Sequence, residues 1–146
     1  MRIVVQRVSR AKCIVDGNVV SEINKGYMLL VGLTHTDTIK EVEKLAQKVN
    51  NLRIFEDEFG KINLNIHDVN GEILSISQFT LYADTKKSNR PSFTASMAPT
   101  IAKELYEKFN EILNTQYNIV TKPGVFGAHM DLDIVCDGPV TITLEI

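Results

Sequence analysis

Four short stretches of this 146-residue chain combine side chains and backbone geometries able to do chemistry. Ser77-Gln78-Phe79-Thr80 sets three hydrogen-bonding side chains around one aromatic, straight after the apolar run Glu72-Ile73-Leu74-Ser75-Ile76. A buried hydroxyl or amide without a partner costs about 1–3 kcal/mol. The cluster is therefore either bonded to neighbouring backbone or kept for a ligand. Lys86-Lys87-Ser88-Asn89-Arg90-Pro91-Ser92-Phe93 gathers cations that either meet phosphates or sit on a solvated tip. Gly124-Val125-Phe126-Gly127-Ala128 has the glycines of a tight change of direction. Asp137-Gly138-Pro139-Val140-Thr141 offers bare backbone and a rigid ring, suited to setting geometry and unsuited to nucleophilic attack. Singly, each stretch also has a purely structural reading.

Other chemistries find less support. Cys13 and Cys136 lie far apart in apolar, strand-like segments, which suits free core thiols in a reducing compartment better than a disulfide framework. A thiol-dependent hydrolase built on Cys136 would need a histidine to activate the sulfur. His35, His67 and His129 show no H-x-x-x-H or C-x-x-C partner, so neither a metal nor another cofactor is expected. The formal charge of −2 argues against coating nucleic acid by bulk electrostatics but leaves room for a local basic patch. No apolar stretch approaches the roughly 20 residues that span a bilayer. Met1 to Arg7 alternates like a strand and lacks a signal peptide's apolar region. The expectation is a soluble, cytoplasmic protein with one domain over residues 1–146.

The elements that must position these residues follow from periodicity. Strands are expected at Arg2 to Val8, Ala11 to Val15, Val19 to Ile23 and Tyr27 to Leu33, with a hairpin turn at Asp16-Gly17-Asn18. Thr38 and Glu41 form a capping-box pattern before Ile39, Val42, Leu45, Ala46, Val49 and Leu52 recur at helical spacing. A short strand at Arg53 to Phe55 and a turn at Glu56 to Gly60 precede a strand from Glu72 to Ala83. Asp84 to Pro99 reads as a long loop, a length that in compact domains is usually either functional or disordered. A second helix is expected from Thr100 to Gln116 with Ile101, Leu105, Phe109, Ile112 and Leu113 on one face. The chain should end in a hairpin whose arms, from Met130 and to Ile146, flank Asp137-Gly138-Pro139. This pattern defines an α+β domain, a mainly antiparallel, barrel-like sheet covered by two amphipathic helices.

Together with the opening Met1-Arg2-Ile3-Val4-Val5-Gln6-Arg7, these stretches closely resemble the D-aminoacyl-tRNA deacylase family over the whole chain. Ser77-Gln78-Phe79-Thr80, Arg90-Pro91-Ser92-Phe93 and Gly138-Pro139-Val140-Thr141 carry the resemblance most specifically. One departure is visible: Cys136 stands where the family pattern has Asn. The resemblance implies hydrolysis of the ester joining a D-amino acid, or glycine, to the terminal ribose of tRNA, without metal. It implies catalysis at Ser77, Gln78, Phe79 and Thr80, with backbone N–H groups stabilising the oxyanion and water, helped by the ribose 2′-hydroxyl, attacking. Thr80 is thus either a nucleophile or a positioning hydroxyl. Gly138, Pro139, Met130 and Phe126 are expected to bind the aminoacyl group, and Lys86, Lys87 and Arg90 the tRNA. The same resemblance implies a homodimer in which a cis Gly138-Pro139 bond enters the partner's pocket and rejects L-side chains. A non-catalytic nucleic-acid-binding module of the same fold is the alternative.

Overall fold

In the computed structural model, which describes residues 1–146, the molecule is organised around its first strand. β1 (Arg2–Val15) is one strand of 14 residues rather than the two expected. The interruption between Val8 and Ala11 is a bulge, marked by register shifts on either side of Val8 against the last strand. A bulge re-phases a strand without ending it, so Arg7, Val8 and Ala11 are all buried. β2 (Asn18–Ile23) returns on β1 through Asp16 and Gly17, at φ of 49° and 77°. Two successive positive φ values are what an Asp-Gly hairpin turn needs. β3 (Gly26–Gly32) pairs antiparallel with the first half of β1.

α1 (Ile39–Asn51) starts on the expected Thr38–Glu41 capping box and buries Val42, Leu45, Ala46 and Val49. β4 (Arg53–Glu56) pairs with β5 (Ile62–Asn65) in a separate two-stranded ribbon, and β5 has no counterpart among the expected strands. β6 (Glu72–Ser77) then joins β3 in parallel, and after α2 (Pro99–Thr115) the short β7 (Thr121–Pro123) joins β6 in parallel. Parallel neighbours need long crossovers, which α1 and α2 supply. The pairing is mainly antiparallel, with this parallel centre added. Ser21 Oγ donates to the Pro123 carbonyl at 2.5 Å and Lys122 Nζ to the Glu22 carbonyl at 2.8 Å, tying β2 to β7 in a nearly closed barrel.

The helices cover one face of the sheet in a cluster of 21 buried residues that includes Tyr27, Leu45, Phe109 and Leu113. A second cluster of 7, among them Val8, Cys13, Leu74 and Ile76, fills the barrel interior. Ile101 departs from the expected apolar face of α2, being 53% exposed, while Tyr106 is buried. The first turn of α2 borders an open cavity instead of the sheet.

Two further departures shape the site. The strand expected to reach Ala83 ends at Ser77, and Phe79–Tyr82 form a 3₁₀ turn. Gln78 still donates to the Val31 carbonyl at 2.8 Å, but β3 stops at Gly32 and offers no further rung. The turn folds over Gly32, where an added Cβ would lie 3.0 Å from the Gln78 oxygen and the Leu81 Cβ. The terminal hairpin is absent as well. β8 (Asp131–Glu145) is a single strand along β1, with Asp131 to Cys136 facing Ile14 to Val8 and Thr141 to Glu145 facing Gln6 to Arg2. Residues 137–140 bulge out opposite Arg7. Both arms bond the same long strand in the same sense, so the chain steps aside at Gly138-Pro139 and does not reverse.

Candidate active site

Where β6 gives way to the 3₁₀ turn, a cavity of about 630 Å³ opens between the turn, the start of α2 and the segment 124–130. Ser77, Gln78 and Phe79 form one wall, Pro99, Ala102 and Tyr106 another, and Phe126, His129 and Met130 a third. The structure thus brings five of the expected site residues, Ser77, Gln78, Phe79, Phe126 and Met130, around one space. Thr80 sits one residue outside the lining, exposed, with its hydroxyl accepting a hydrogen bond from Gln78 Nε2. Phe79 is 56% exposed and meets Phe93 edge-on at 5.0 Å, making an aromatic rim.

The 3₁₀ turn is held almost entirely through its carbonyls. Gln78 O accepts from Leu81 N at 3.4 Å and Thr80 O from Ala83 N at 3.0 Å. Phe79 O accepts from Ser96 Oγ at 3.0 Å, and Leu81 O from the Arg2 guanidinium at 2.5 Å. A 3₁₀ bond reaches back three residues, so the first two amides, of Phe79 and Thr80, have no carbonyl of the turn behind them. The local sequence thereby makes a short, pinned segment that begins with two uncommitted N–H donors.

The electrostatics of the cavity are sparse. Its lining contains no carboxylate, cysteine or lysine, and Tyr106 and His129 are its only ionisable groups. Tyr106 donates its hydroxyl to the Ser75 carbonyl at 2.7 Å, and burial pushes the phenol up, so it stays neutral. His129 Nε2 lies 3.7 Å from Asp131 Oδ1 on an almost fully exposed side chain. Such a site can align a substrate and stabilise developing charge with fixed dipoles. No group of three or more His, Cys, Asp or Glu side chains is arranged to hold a metal ion.

Gly138 and Pro139 stand apart from this cavity and line none of it. Their peptide bond is cis, and Gly138 has φ of 124°. The bulge is anchored by Arg7, which is only 3% exposed. Arg7 Nε donates to the Asp137 carbonyl at 3.1 Å and lies 3.2 Å from Asp137 Oδ2, while Nη1 donates to the Ile54 carbonyl at 2.7 Å. Lys86, Lys87 and Arg90 are exposed and also outside the cavity, on a loop closed by the Asp84–Ser92 bridge. Cys136 is exposed on β8, and the three imidazoles engage Thr94, Asn50 and Asp131 instead of its sulfur. Burial pushes the Cys13 thiol up, away from reactivity.

Sequence reasoning passed over Arg2, Arg7, Ser96 and Tyr106. Arg7 alone left a signal: it continues the inward positions of Ile3 and Val5, where a cation needs buried partners. Phe93 belongs to the basic-loop stretch, and its contact with Phe79 exists only once the loop folds back.

A nearly closed small barrel, with a cavity where a strand breaks into a polar turn, defines the class of protein. A family model described as D-Tyr-tRNA(Tyr) deacylase matches residues 4–145. The chain belongs to that family and so is a hydrolase. An Exiguobacterium sp. protein named D-aminoacyl-tRNA deacylase is 54% identical over 99% of this chain and 98% of its own. A solved structure named c-Myc DNA Unwinding Element Binding Protein superposes with a TM-score of 0.94 at 44% identity, covering 100% of this chain and 99% of that one. A structure described as a probable eukaryotic D-amino acid tRNA deacylase shares the fold, with a TM-score of 0.87 at 16% identity over 99% and 98% of the two chains.

Proposed function

We propose that this protein edits aminoacyl-tRNA in the cytoplasm, cleaving the ester of D-aminoacyl-tRNA and of glycyl-tRNA while rejecting L-aminoacyl-tRNA. The observation that carries the mechanism is the cavity's lack of a carboxylate, thiol or amine. The one imidazole in the lining, His129, is almost fully exposed beside Asp131, so water, assisted by the substrate's ribose 2′-hydroxyl, is taken as the nucleophile. The amides of Phe79 and Thr80 hold the oxyanion, and Ser77 and Gln78 shape the wall beside it. Preorganised donors of this kind supply about 3–4 kcal/mol each to acyl transfer. Thr80 positions; it does not attack.

Chiral selection is assigned to the Gly138-Pro139 bulge of a second copy. The bulge lines no part of its own cavity, which supports a site completed across a homodimer. Carbonyls at a tip without a side chain can hold the substrate's ammonium, while the bulk of the tip excludes an L-side chain. Glycine has no side chain to clash and passes.

Release of amino acid from matched D-, L- and glycyl-tRNA tests this reading, run on the wild type and on Thr80→Ala. The expectation is turnover of the D- and glycyl esters only, reduced but not abolished by Thr80→Ala. An aminoacyl-Thr80 adduct trapped by rapid quenching would make Thr80 the nucleophile. Binding of tRNA with no turnover of any ester would favour the alternative, a non-catalytic nucleic-acid-binding module, which the DNA-element-binding description of one structural relative brings forward.

A further inference from the structure

We propose that Arg2, 79 residues upstream of the carbonyl it holds, is a positioning residue for hydrolysis, a strut that fixes the 3₁₀ turn carrying the Phe79 and Thr80 amides. The inference rests on the oxyanion reading above. Arg2 opens β1 and pairs across the sheet with Gly32 and Glu145. Its guanidinium divides between two elements: Nη1 donates to the Leu81 carbonyl at 2.5 Å and Nη2 to Glu145 Oε1 at 2.7 Å. The same group lies over the Tyr82 ring, 4.9 Å from its centroid.

The physical reason is the end of the turn. A helix terminus leaves its last carbonyls without an internal partner, and a basic side chain is a common way to satisfy them. Leu81 O is such a carbonyl, and Arg2 is its donor. At the other end Ser96 Oγ holds Phe79 O, with Ser96 itself fixed by an isolated bridge to Thr34. The Thr80 amide lies between these two anchors, and the Phe79 amide immediately precedes the first. A planar fork with separated donors holds Glu145 and Leu81 at once in a fixed geometry, which a flexible ammonium reproduces only in part. The Arg2–Glu145 pair is partly exposed, with side chains 33% and 51% accessible, so it adds little to global stability. Its effect falls on where the turn sits. In transition-state stabilisation, a misplacement of about 1 Å costs on the order of 100-fold in rate.

The test compares Arg2→Gln, Arg2→Lys and Glu145→Gln on D-aminoacyl-tRNA, reading kcat, KM, the unfolding midpoint and the backbone ¹H–¹⁵N shifts of Phe79 and Thr80. Arg2→Gln is expected to lower kcat about 10- to 100-fold at nearly constant KM and to move both amide signals. Arg2→Lys should recover part of kcat. Glu145→Gln, which leaves an acceptor for Nη2, should keep kcat within about twofold. Unmoved amide signals in Arg2→Gln would overturn the strut. Moved signals with kcat intact would instead overturn the amide-donor reading and, with it, any catalytic role for Arg2. A rise in KM alone would make Arg2 a tRNA contact, and a fall in kcat matched by partial unfolding in all three variants would make it merely structural.

Discussion

Gly138 shows how much one backbone angle decides. A hairpin tip with φ below zero would accept alanine without strain, and Gly138→Ala would then damage only substrate binding. The actual φ is 124°, and an added Cβ would lie 2.9 Å from both the Val140 nitrogen and its Cγ2. Residues without glycine's freedom cost about 1–3 kcal/mol in such conformations. Gly138→Ala should therefore lose nearly all D-ester hydrolysis and also about 1–3 kcal/mol of stability, read by chemical denaturation. Full stability in the variant would mean that the bulge relaxes. Arg7 belongs at this scale too. Its buried guanidinium joins Asp137 to the Ile54 carbonyl and so fixes the base of the bulge that Gly138 tops.

Among the elements, the loop from Asp84 to Pro99 is the one proposed to meet tRNA. It is long but tied down: Asp84 and Ser92 exchange backbone bonds of 2.8 and 2.9 Å, and Met97 N donates to Leu33 O at 3.0 Å. Phe93 packs on Phe79, which ties the loop to the 3₁₀ turn. Lys86, Lys87 and Arg90 on the loop's tip are proposed to contact phosphates near the acceptor end of tRNA. Replacing all three with alanine should weaken tRNA binding and flatten the dependence of log K on log salt by about 0.7–0.9 for each phosphate left unneutralised. Because all three are exposed, the unfolding midpoint should hardly move. A salt slope equal to the wild type's would reduce the loop tip to a solvated surface.

At the scale of the whole molecule, β8 is the element that a single chain leaves unfinished. It pairs only with β1, so 15 residues present an open edge, and none of them is fully buried. Long exposed edges invite pairing with another chain. Leu132, Ile134, Val140, Ile142 and Leu144 are only partly covered, and Val135 is 37% exposed. In the proposed homodimer a second copy would cover this edge and bring its Gly138-Pro139 bulge to the cavity. Mixed dimers test this arrangement. One chain carries Gly138→Ala; the other carries Phe79→Pro, which removes an amide donor at a first helical position that tolerates proline. Gln78, at φ −144° and ψ 86°, is outside the α region that a following proline disfavours. Each variant alone should be nearly inactive, and the mixture should regain activity, because one composite site has both elements intact. No recovery on mixing would place each site within one chain.

Local chemistry was enough to read much of this protein from its residues. The Asp16-Gly17 turn, the Thr38–Glu41 cap, the apolar stripe of α1 and the polar cluster at Ser77 to Thr80 are decided by neighbours a few positions away. The family pattern of Ser77 to Thr80 and Gly138-Pro139 added the class of reaction. What needed the tertiary structure was decided by partners distant in the chain. Alternation cannot show whether two apolar arms bond each other or a third strand, so β8 read as a hairpin until β1 paired with both arms. Nor can it show that β3 ends at Gly32, which leaves Phe79 to Tyr82 without a rung and turns a strand into a 3₁₀ segment. Arg2 and Ser96 each hold one backbone carbonyl, 79 and 17 residues away, and Arg7 holds two, 130 and 47 residues away. A carbonyl is present at every residue and leaves no mark in sequence. Only folding determines which one a guanidinium or hydroxyl will meet.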